Sequence, residues 1–212
     1  GHHDKLAQLV MDIEKDGGPE AQIVFLGDYA DRGPDSRGVL ALLSEGRKAG
    51  RNWVFLKGNH DRMFEWFMED APRPDPHMMV ELSWLHPRLG GDTTMASYGV
   101  DAGPRRRLRD VHTDARAAVP ADHVAFLRDL RLSYETDDLF FCHAGIRPSV
   151  PLDQQDEEDL VWIRQEFNTH TTPHPKLIVH GHTPVDTVMH YGNRVNLDTG
   201  AGYGKPLSAA VF

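Results

Sequence analysis

Four short apolar runs in this sequence end in side chains of the types that can bind metal ions. The residues that follow the runs are Asp28, Asn59 with His60, His143, and the pair His180 and His182. A carboxylate, an amide oxygen and imidazole nitrogens together suit an ion such as manganese, iron or zinc, whereas calcium and magnesium prefer oxygen ligands throughout. Each residue alone is equally well explained by a turn, a helix cap or a hydrogen-bonded core histidine. Their recurrence at four run ends favours a metal site.

Each of these residues follows a segment that the sequence predicts as a buried strand. Residues 23–26, 53–56, 139–142 and 177–179 are continuous apolar runs, which is typical of strands covered on both faces of a sheet. Residues 6–13 carry apolar side chains at helical spacing before the first run. This alternation predicts an α/β domain with right-handed crossovers. Because the carboxyl ends of parallel strands meet at one edge of such a sheet, we expect the ligands to converge there.

Other segments depart from this alternation. Residues 63–130 are rich in proline and irregular in pattern, and we expect them to form a mainly helical insertion that caps the sheet edge. Residues 187–190 and 194–198 flank a short glycine-containing connection and predict a hairpin. Residues 207–212 are predicted as a last strand. Since the chain has 212 residues and shows no linker, we expect a single domain.

Composition limits the partners that this chain can bind. A formal net charge of -9 argues against sequence-independent binding of nucleic acid, which needs a basic face. No apolar stretch approaches the length of about 18 residues that a membrane span requires. The single cysteine, Cys142, excludes an internal disulfide and fits a reducing compartment, where it is expected to be a small buried hydrophobe. We therefore expect a cytoplasmic protein, a monomer rather than an oligomer, that binds neither nucleic acid nor membranes.

The motifs at the run ends resemble an ordered series found in one protein family. The segments GDYADRGPDS (27–36), GNHD (58–61), HAG (143–145) and HGHTP (180–184) are similar to those of the serine/threonine phosphoprotein phosphatases within the calcineurin-like metallophosphoesterase superfamily. The segment GGDTTMASYG (90–99) is similar to the small bacterial branch. The resemblance implies an α/β four-layered sandwich of two central mixed β-sheets flanked by helices. It also implies two divalent or trivalent transition-metal ions, with manganese expected and iron or zinc as alternatives.

The resemblance also implies a role for each ligand residue. The residue matching Asp28 bridges both ions, and those matching Asn59, His143 and His182 complete the ligands of the second ion. Coordination by His180 instead of His182 stays open, although the family pattern favours the histidine directly before Thr-Pro.

The first ion depends on residues that the sequence does not contain. Family members begin with Gly-Asp-x-His-Gly, and Gly1 looks like the last glycine of that motif. We therefore expect residues 1–212 to be one metallophosphoesterase domain that lacks its first strand and the Asp and His of the first metal site. The alternative is that residues 1–3 are a remnant of an expression tag.

The resemblance implies hydrolysis of a phosphate monoester by direct attack of a hydroxide that bridges the two ions. His60 then acts as the general acid, and Asp31 hydrogen-bonds it. Arg32 and Arg164 are expected to bind phosphate oxygens, because a guanidinium offers a planar fork of donors. The alternatives are that Asp31 pairs with Arg32 and that Arg164 is a surface residue near Glu166.

The expected activity is that of a protein serine/threonine phosphatase, acting on a phosphorylated protein or a small phosphoester. The segment YADRGPDS favours this branch. Two alternatives stay open. One is a dinucleoside polyphosphate hydrolase with diadenosine tetraphosphate as the substrate, since such enzymes share most of these motifs. The other is a non-catalytic module that binds phosphorylated partners, which the missing ligands of the first ion would favour.

Overall fold

The computed structural model describes residues 1–79 and 82–212, and the chain divides into two units that are described one at a time. Unit 1 comprises residues 1–8, 28–51 and 60–129, and unit 2 comprises residues 9–27, 52–59 and 130–212. Helix α1 (His3–Gly17) begins in the first unit and ends in the second. The expectation of a single domain stays a prediction.

Every regular element among the described residues of unit 1 is a helix. After α1 these helices are α2 (Ser36–Lys48), α3 (Asn59–Phe67), α4 (Gly91–Ser97), α5 (Leu108–Ala118) and α6 (Ala121–Arg128). Helix α2 begins where the Asp35 carboxylate accepts a hydrogen bond of 2.8 Å from the backbone of Gly38, and it buries Leu40 and Leu43.

The predicted insertion, residues 63–130, is helical wherever its described part is regular, but long irregular stretches separate the helices. Pro72, Pro74 and Pro76 lie in the longest of these stretches, after α3, where proline removes backbone donors and prevents a helix from continuing. That the insertion caps a sheet edge stays a prediction.

Unit 2 contains two β-sheets. The smaller sheet pairs β1 (Ile23–Phe25) with β2 (Trp53–Phe55) in parallel. The other strands are β3 (Ser133–Glu135), β4 (Leu139–Cys142), β5 (Leu177–His180), β6 (Met189–His190) and β7 (Arg194–Asn196). They form one sheet in the order β3-β4-β5-β7-β6, in which the three inner strands are parallel and both outer strands are antiparallel. The predicted α/β fold with two sheets and flanking helices is confirmed, although the smaller sheet is parallel rather than mixed.

Strand β4 shows why these apolar runs are continuous. Phe140 and Cys142 pack into a cluster that includes Phe167, whereas Phe141 packs on the other side with Val54 and with Val179 of β5. Both faces of the strand are therefore covered, so every position favours an apolar side chain. Cys142 is fully buried, as expected. Besides the end of α1, this unit contains the helices α7 (Glu157–Trp162) and α8 (Gln165–Asn168).

Two elements were predicted near the end of the chain, a hairpin and a last strand. The hairpin is confirmed, because β6 and β7 pair antiparallel and the backbone N–H of Tyr191 donates to the carbonyl of Arg194 at 2.8 Å. The predicted strand at residues 207–212 is wrong, since the structure has no strand there. Val211 and Phe212 remain exposed, because apolar composition alone does not provide a neighbouring strand to pair with. Among the described helices, none is both long and apolar enough to cross a bilayer.

Candidate metal centre and its acid–base pair

Three predicted ligands of unit 2 come together at the ends of their strands. Asn59 Oδ1 lies 3.1 Å from His143 Nε2 and 3.0 Å from His182 Nδ1, and the two imidazole nitrogens lie 3.2 Å apart. All three side chains are buried. Asn59 follows β2, His143 follows β4 directly, and His182 follows β5 by two residues. This trio is called the ligand cluster below.

His143 is oriented by a carbonyl of the neighbouring strand end. Its Nδ1 donates to the carbonyl of Leu26 at 2.7 Å, so the lone pair lies on Nε2, the nitrogen within the ligand cluster. Gly27 makes this approach possible. A Cβ atom at Gly27 would lie 2.5 Å from the backbone nitrogen of Gly58 and 3.0 Å from His143 Nδ1, and the φ angle of Gly27 is 92°.

The structure separates the two histidines of the HGH segment. His182 belongs to the ligand cluster, whereas His180 packs edge-on against Phe167 with ring centroids 4.9 Å apart. Burial lowers the pKa of His180 to about 3, which keeps its ring neutral. Its Nδ1 faces the carbonyl of Gly181 at 3.1 Å. His182 is therefore the one placed to bind a metal.

Arg164 lies beside the ligand cluster. Its Nε donates to His182 Nε2 at 2.9 Å. Glu166 forms an ion pair with Arg147 at 2.9 Å, and the choice between a phosphate-binding Arg164 and a surface residue near Glu166 stays a prediction. Arg164 itself is exposed, so its guanidinium is accessible to a ligand that reaches the cluster.

In unit 1, Asp28 is held in place by two neighbours. Its backbone N–H donates to the Asp61 carboxylate at 2.7 Å, and the next backbone N–H, of Tyr29, donates to the same carboxylate at 2.9 Å. The side chain of Asp28 accepts from the backbone N–H of His60 at 3.0 Å through Oδ1. The motif spacing assigns no role to Asp61. The structure shows it as the fully buried anchor of the loop that carries Asp28.

The predicted pairing of Asp31 with His60 is present in unit 1. Asp31 Oδ2 lies 2.5 Å from His60 Nδ1, and both side chains are almost completely buried. The same carboxylate accepts a hydrogen bond of 2.8 Å from Trp84 Nε1 and one of 2.7 Å from Thr94 Oγ1. An acceptor on the Nδ1 side keeps one ring proton on Nδ1, so a proton donated from Nε2 must be the second proton of the ring. Neither Trp84 nor Thr94 was assigned to the site from the sequence, although Thr94 lies in the segment GGDTTMASYG.

Backbone strain in the described residues is concentrated at these positions. Five residues other than glycine have a positive φ angle: Asp28, Asp31, Arg32, Ser149 and His182. All except Ser149 are predicted site residues. Such conformations cost about 1–3 kcal/mol each and persist only where surrounding contacts impose them. Arg32 is half-buried, and the backbone of Gly90 lies so close to it that a Cβ at Gly90 would meet the nitrogen of Arg32 at 2.3 Å.

The ligand cluster fits a transition-metal ion. Metal–ligand bonds of about 2.1 Å at right angles place neighbouring donor atoms about 3 Å apart, which matches the separations within the cluster. Two imidazole nitrogens and one amide oxygen suit manganese, iron or zinc better than calcium or magnesium. Metal-binding histidines ordinarily donate a hydrogen bond from their other ring nitrogen, as His143 Nδ1 does to the carbonyl of Leu26. Which ion binds stays a prediction.

Comparison with known families agrees with this chemistry. The sequence model of the calcineurin-like phosphoesterases matches residues 1–205, which is nearly the whole chain.

Two bacterial relatives are named asymmetrical bis(5′-nucleosyl)-tetraphosphatase PrpE. The protein of Oceanobacillus iheyensis is 26% identical over 207 residues, covering 90% of this chain and 74% of the relative. That of Anoxybacillus flavithermus is 27% identical over 211 residues, covering 90% and 75%. The superfamily resemblance is confirmed, whereas neither relative is named a serine/threonine protein phosphatase.

A solved structure of a cold-active protein tyrosine phosphatase is similar to this chain. The TM-score is 0.59 at 19% identity, and the match covers 97% of this chain and 68% of the other. At this identity the likeness supports the fold alone.

Proposed function

This chain belongs to the calcineurin-like phosphoesterase family, and on that premise we propose that it cleaves a dinucleoside tetraphosphate asymmetrically, into a nucleoside triphosphate and a nucleoside monophosphate. The observation that carries this proposal is the name shared by relatives that align with 90% of the chain. Diadenosine tetraphosphate is the substrate to test first. The expected protein serine/threonine phosphatase becomes the second candidate.

The proposal assigns one metal ion to the ligand cluster; the role of Asp28 as a ligand, which the resemblance implies, stays a prediction. Asp28 Oδ1 accepts a hydrogen bond from the backbone nitrogen of His60, and that nitrogen forms the peptide bond with Asn59. Bound ions of this type acidify water and neutralise phosphoryl oxygens. The second ion that the resemblance implies stays a prediction.

The remaining site residues act on the substrate phosphates and on the leaving group. His60 donates a proton from Nε2 to the leaving oxygen, and Asp31 holds its ring through Nδ1. Arg32 and Arg164 bind phosphoryl oxygens through their guanidinium groups. The contact between Arg164 and His182 supports this role for Arg164.

One observation favours the second candidate, hydrolysis of phosphoserine or phosphothreonine in proteins. The alkoxide that leaves from such an ester is far more basic than a nucleoside triphosphate, so it gains most from protonation. A buried His60 that is oriented by the Asp31 carboxylate is suited to protonate such a leaving group. The two candidates therefore differ in how much of the rate depends on His60.

The test compares kcat/KM of the full-length protein with manganese for diadenosine tetraphosphate and for a phosphoseryl peptide. We expect the dinucleotide to be preferred by at least about tenfold, which is about 1.4 kcal/mol of transition-state stabilisation. Its products should be ATP and AMP, separated by anion-exchange chromatography. His143→Asn is the control for metal-dependent activity, because it removes one member of the ligand cluster.

A preference for the phosphopeptide would replace the first candidate by the second. Two molecules of ADP as products would contradict asymmetrical cleavage. Binding of either substrate without hydrolysis of any would support the non-catalytic module instead.

A further inference from the structure

The carboxylate of Asp31 is held by donors from three separate parts of unit 1. His60 belongs to α3, Trp84 to the segment that precedes α4, and Thr94 to α4 itself. Oδ2 accepts from His60 and Trp84, and Oδ1 accepts from Thr94. With donors on both oxygens, the carboxylate cannot rotate without breaking a hydrogen bond that water cannot replace in a buried site.

The indole of Trp84 is placed by the same helix that carries His60. Phe64 and Phe67 follow His60 by four and seven residues, a spacing that puts all three on one helix face. The rings of Phe64 and Trp84 are stacked with centroids 5.1 Å apart, and Phe67 lies 4.9 Å from the same indole. One face of α3 therefore presents the general acid and also supports the residue that holds its partner.

The segment GGDTT explains how α4 reaches Asp31. A Cβ atom at Gly91 would lie 2.7 Å from the indole ring of Trp84, so only glycine leaves room for the ring. Thr94, three residues later, donates to the side chain of Asp31 and also accepts from its backbone N–H at 2.9 Å. Asp31 has a φ angle of 71°, so this second hydrogen bond helps to maintain a strained backbone.

We propose that Trp84 and Thr94 are positioning residues for the hydrolytic reaction: they hold the carboxylate of Asp31, which in turn orients His60 towards the leaving oxygen. This inference rests on His60 acting as the general acid of the proposed function. Neither residue contacts the substrate. Their effect is therefore greatest where the leaving group most needs a proton.

The test uses Trp84→Phe and Thr94→Val, which remove one donor each and keep most of the side-chain volume. Two phosphate esters are compared with manganese present: phenyl phosphate, whose leaving group is strongly basic, and dinitrophenyl phosphate, whose leaving group is weakly basic. We expect kcat to fall about tenfold for phenyl phosphate and by less than about twofold for dinitrophenyl phosphate. Thr94→Ser, which restores the hydroxyl, should recover the wild-type ratio of the two rates.

Thr93→Val is the matched control, because the Thr93 hydroxyl donates to the carbonyl of Gly90 at 2.7 Å and belongs to the same helix. It should leave the ratio unchanged. An equal loss on both esters in Trp84→Phe and Thr94→Val would indicate a merely structural role and overturn the proposal. Wild-type rates on both esters would overturn it as well.

A second measurement separates this inference from the proposed function. The proton on His60 Nδ1 should give a downfield NMR resonance that His60→Asn removes. In Trp84→Phe and Thr94→Val it should move upfield or broaden, and in Thr93→Val it should not. If the wild type hydrolyses neither ester nor diadenosine tetraphosphate but the resonance responds in this way, the proposed function is wrong while the positioning of His60 by Trp84 and Thr94 is supported. An unchanged resonance in both variants overturns the positioning role.

Discussion

The ligand cluster of unit 2 and the Asp31–His60 pair of unit 1 are both buried groups of polar side chains, yet the contacts within the two groups differ. In the cluster, Asn59 Oδ1, His143 Nε2 and His182 Nδ1 lie 3.0–3.2 Å from one another. Around Asp31, the side chains of His60, Trp84 and Thr94 each place a donor against the carboxylate. The first arrangement has the spacing of donor atoms around a cation, whereas the second is a set of hydrogen bonds within the chain. Metal dependence should therefore follow substitutions in the cluster and not substitutions around Asp31.

The largest effect is expected from His143→Asn. An ion that is present at 100 times its dissociation constant stabilises the folded state by about 2.7 kcal/mol, which for a chain of this size raises Tm by about 5–10 °C. We expect manganese to raise the Tm of the wild type by this amount and that of His143→Asn hardly at all, and we expect hydrolysis to be lost.

His180→Asn is the matched control for that measurement. His180 lies two residues from His182 but packs against Phe167 outside the cluster. This variant loses some stability, because a buried ring is replaced, but it should keep the manganese-induced rise above its own metal-free Tm. Loss of that rise would place His180 among the ligands and contradict the separation of the two histidines.

The next effect is that of His60→Asn, which should lower kcat for a phosphoseryl or phenyl ester by about 100-fold, the ordinary scale for loss of a general acid. Binding of manganese, measured by the same shift in Tm, should persist. A wild-type rate would remove His60 from the mechanism. Loss of the manganese-induced rise in Tm would contradict the separate roles of the ligand cluster and the Asp31–His60 pair.

Asp61→Asn tests the loop that carries Asp28. The fully buried Asp61 carboxylate accepts hydrogen bonds from the backbone N–H groups of Asp28 and Tyr29. In the asparagine variant, the side-chain NH2 group would face one of these N–H groups, so two donors would be in contact. We expect the free energy of unfolding to fall by about 2 kcal/mol, measured by urea denaturation. Asp122→Asn, at an exposed ion pair with Lys48, is the control and should change stability by less than about 1 kcal/mol. Equal losses of unfolding free energy in the two variants would show that Asp61 does not anchor the loop.

The smallest effect is expected from Arg164→Lys. Lysine keeps the charge but loses the planar fork of donors, so kcat/KM should fall by about tenfold, mainly through KM, with metal binding unchanged. Arg147→Lys is the matched control, because Arg147 pairs with Asp159 and Glu166 away from His182. If both variants behave alike, Arg164 does not bind substrate.

Much of the ligand cluster could be predicted from the sequence because each member follows an apolar run within a few residues. A run buried on both faces identifies a strand, and a polar residue directly after it must lie at the strand end. Asp61, Trp84 and Thr94 could not be found in this way. Trp84 lies 53 residues from Asp31, in a proline-rich segment without periodicity. The only available signals were the spacing of Phe64 and Phe67 after His60 and the two glycines before Thr94.

The sequence by itself predicted the four apolar strands, the hairpin near the end of the chain and the chemical types of the ligands, because these depend on neighbours a few residues apart. The tertiary structure decided which histidine of the HGH segment joins Asn59, which side chain Arg164 contacts, and which donors surround Asp31. His182 meets Asn59 across 123 residues of sequence, and Thr94 meets Asp31 across 63. Such contacts arise from packing, and packing depends on the shapes of many side chains at once rather than on any local pattern.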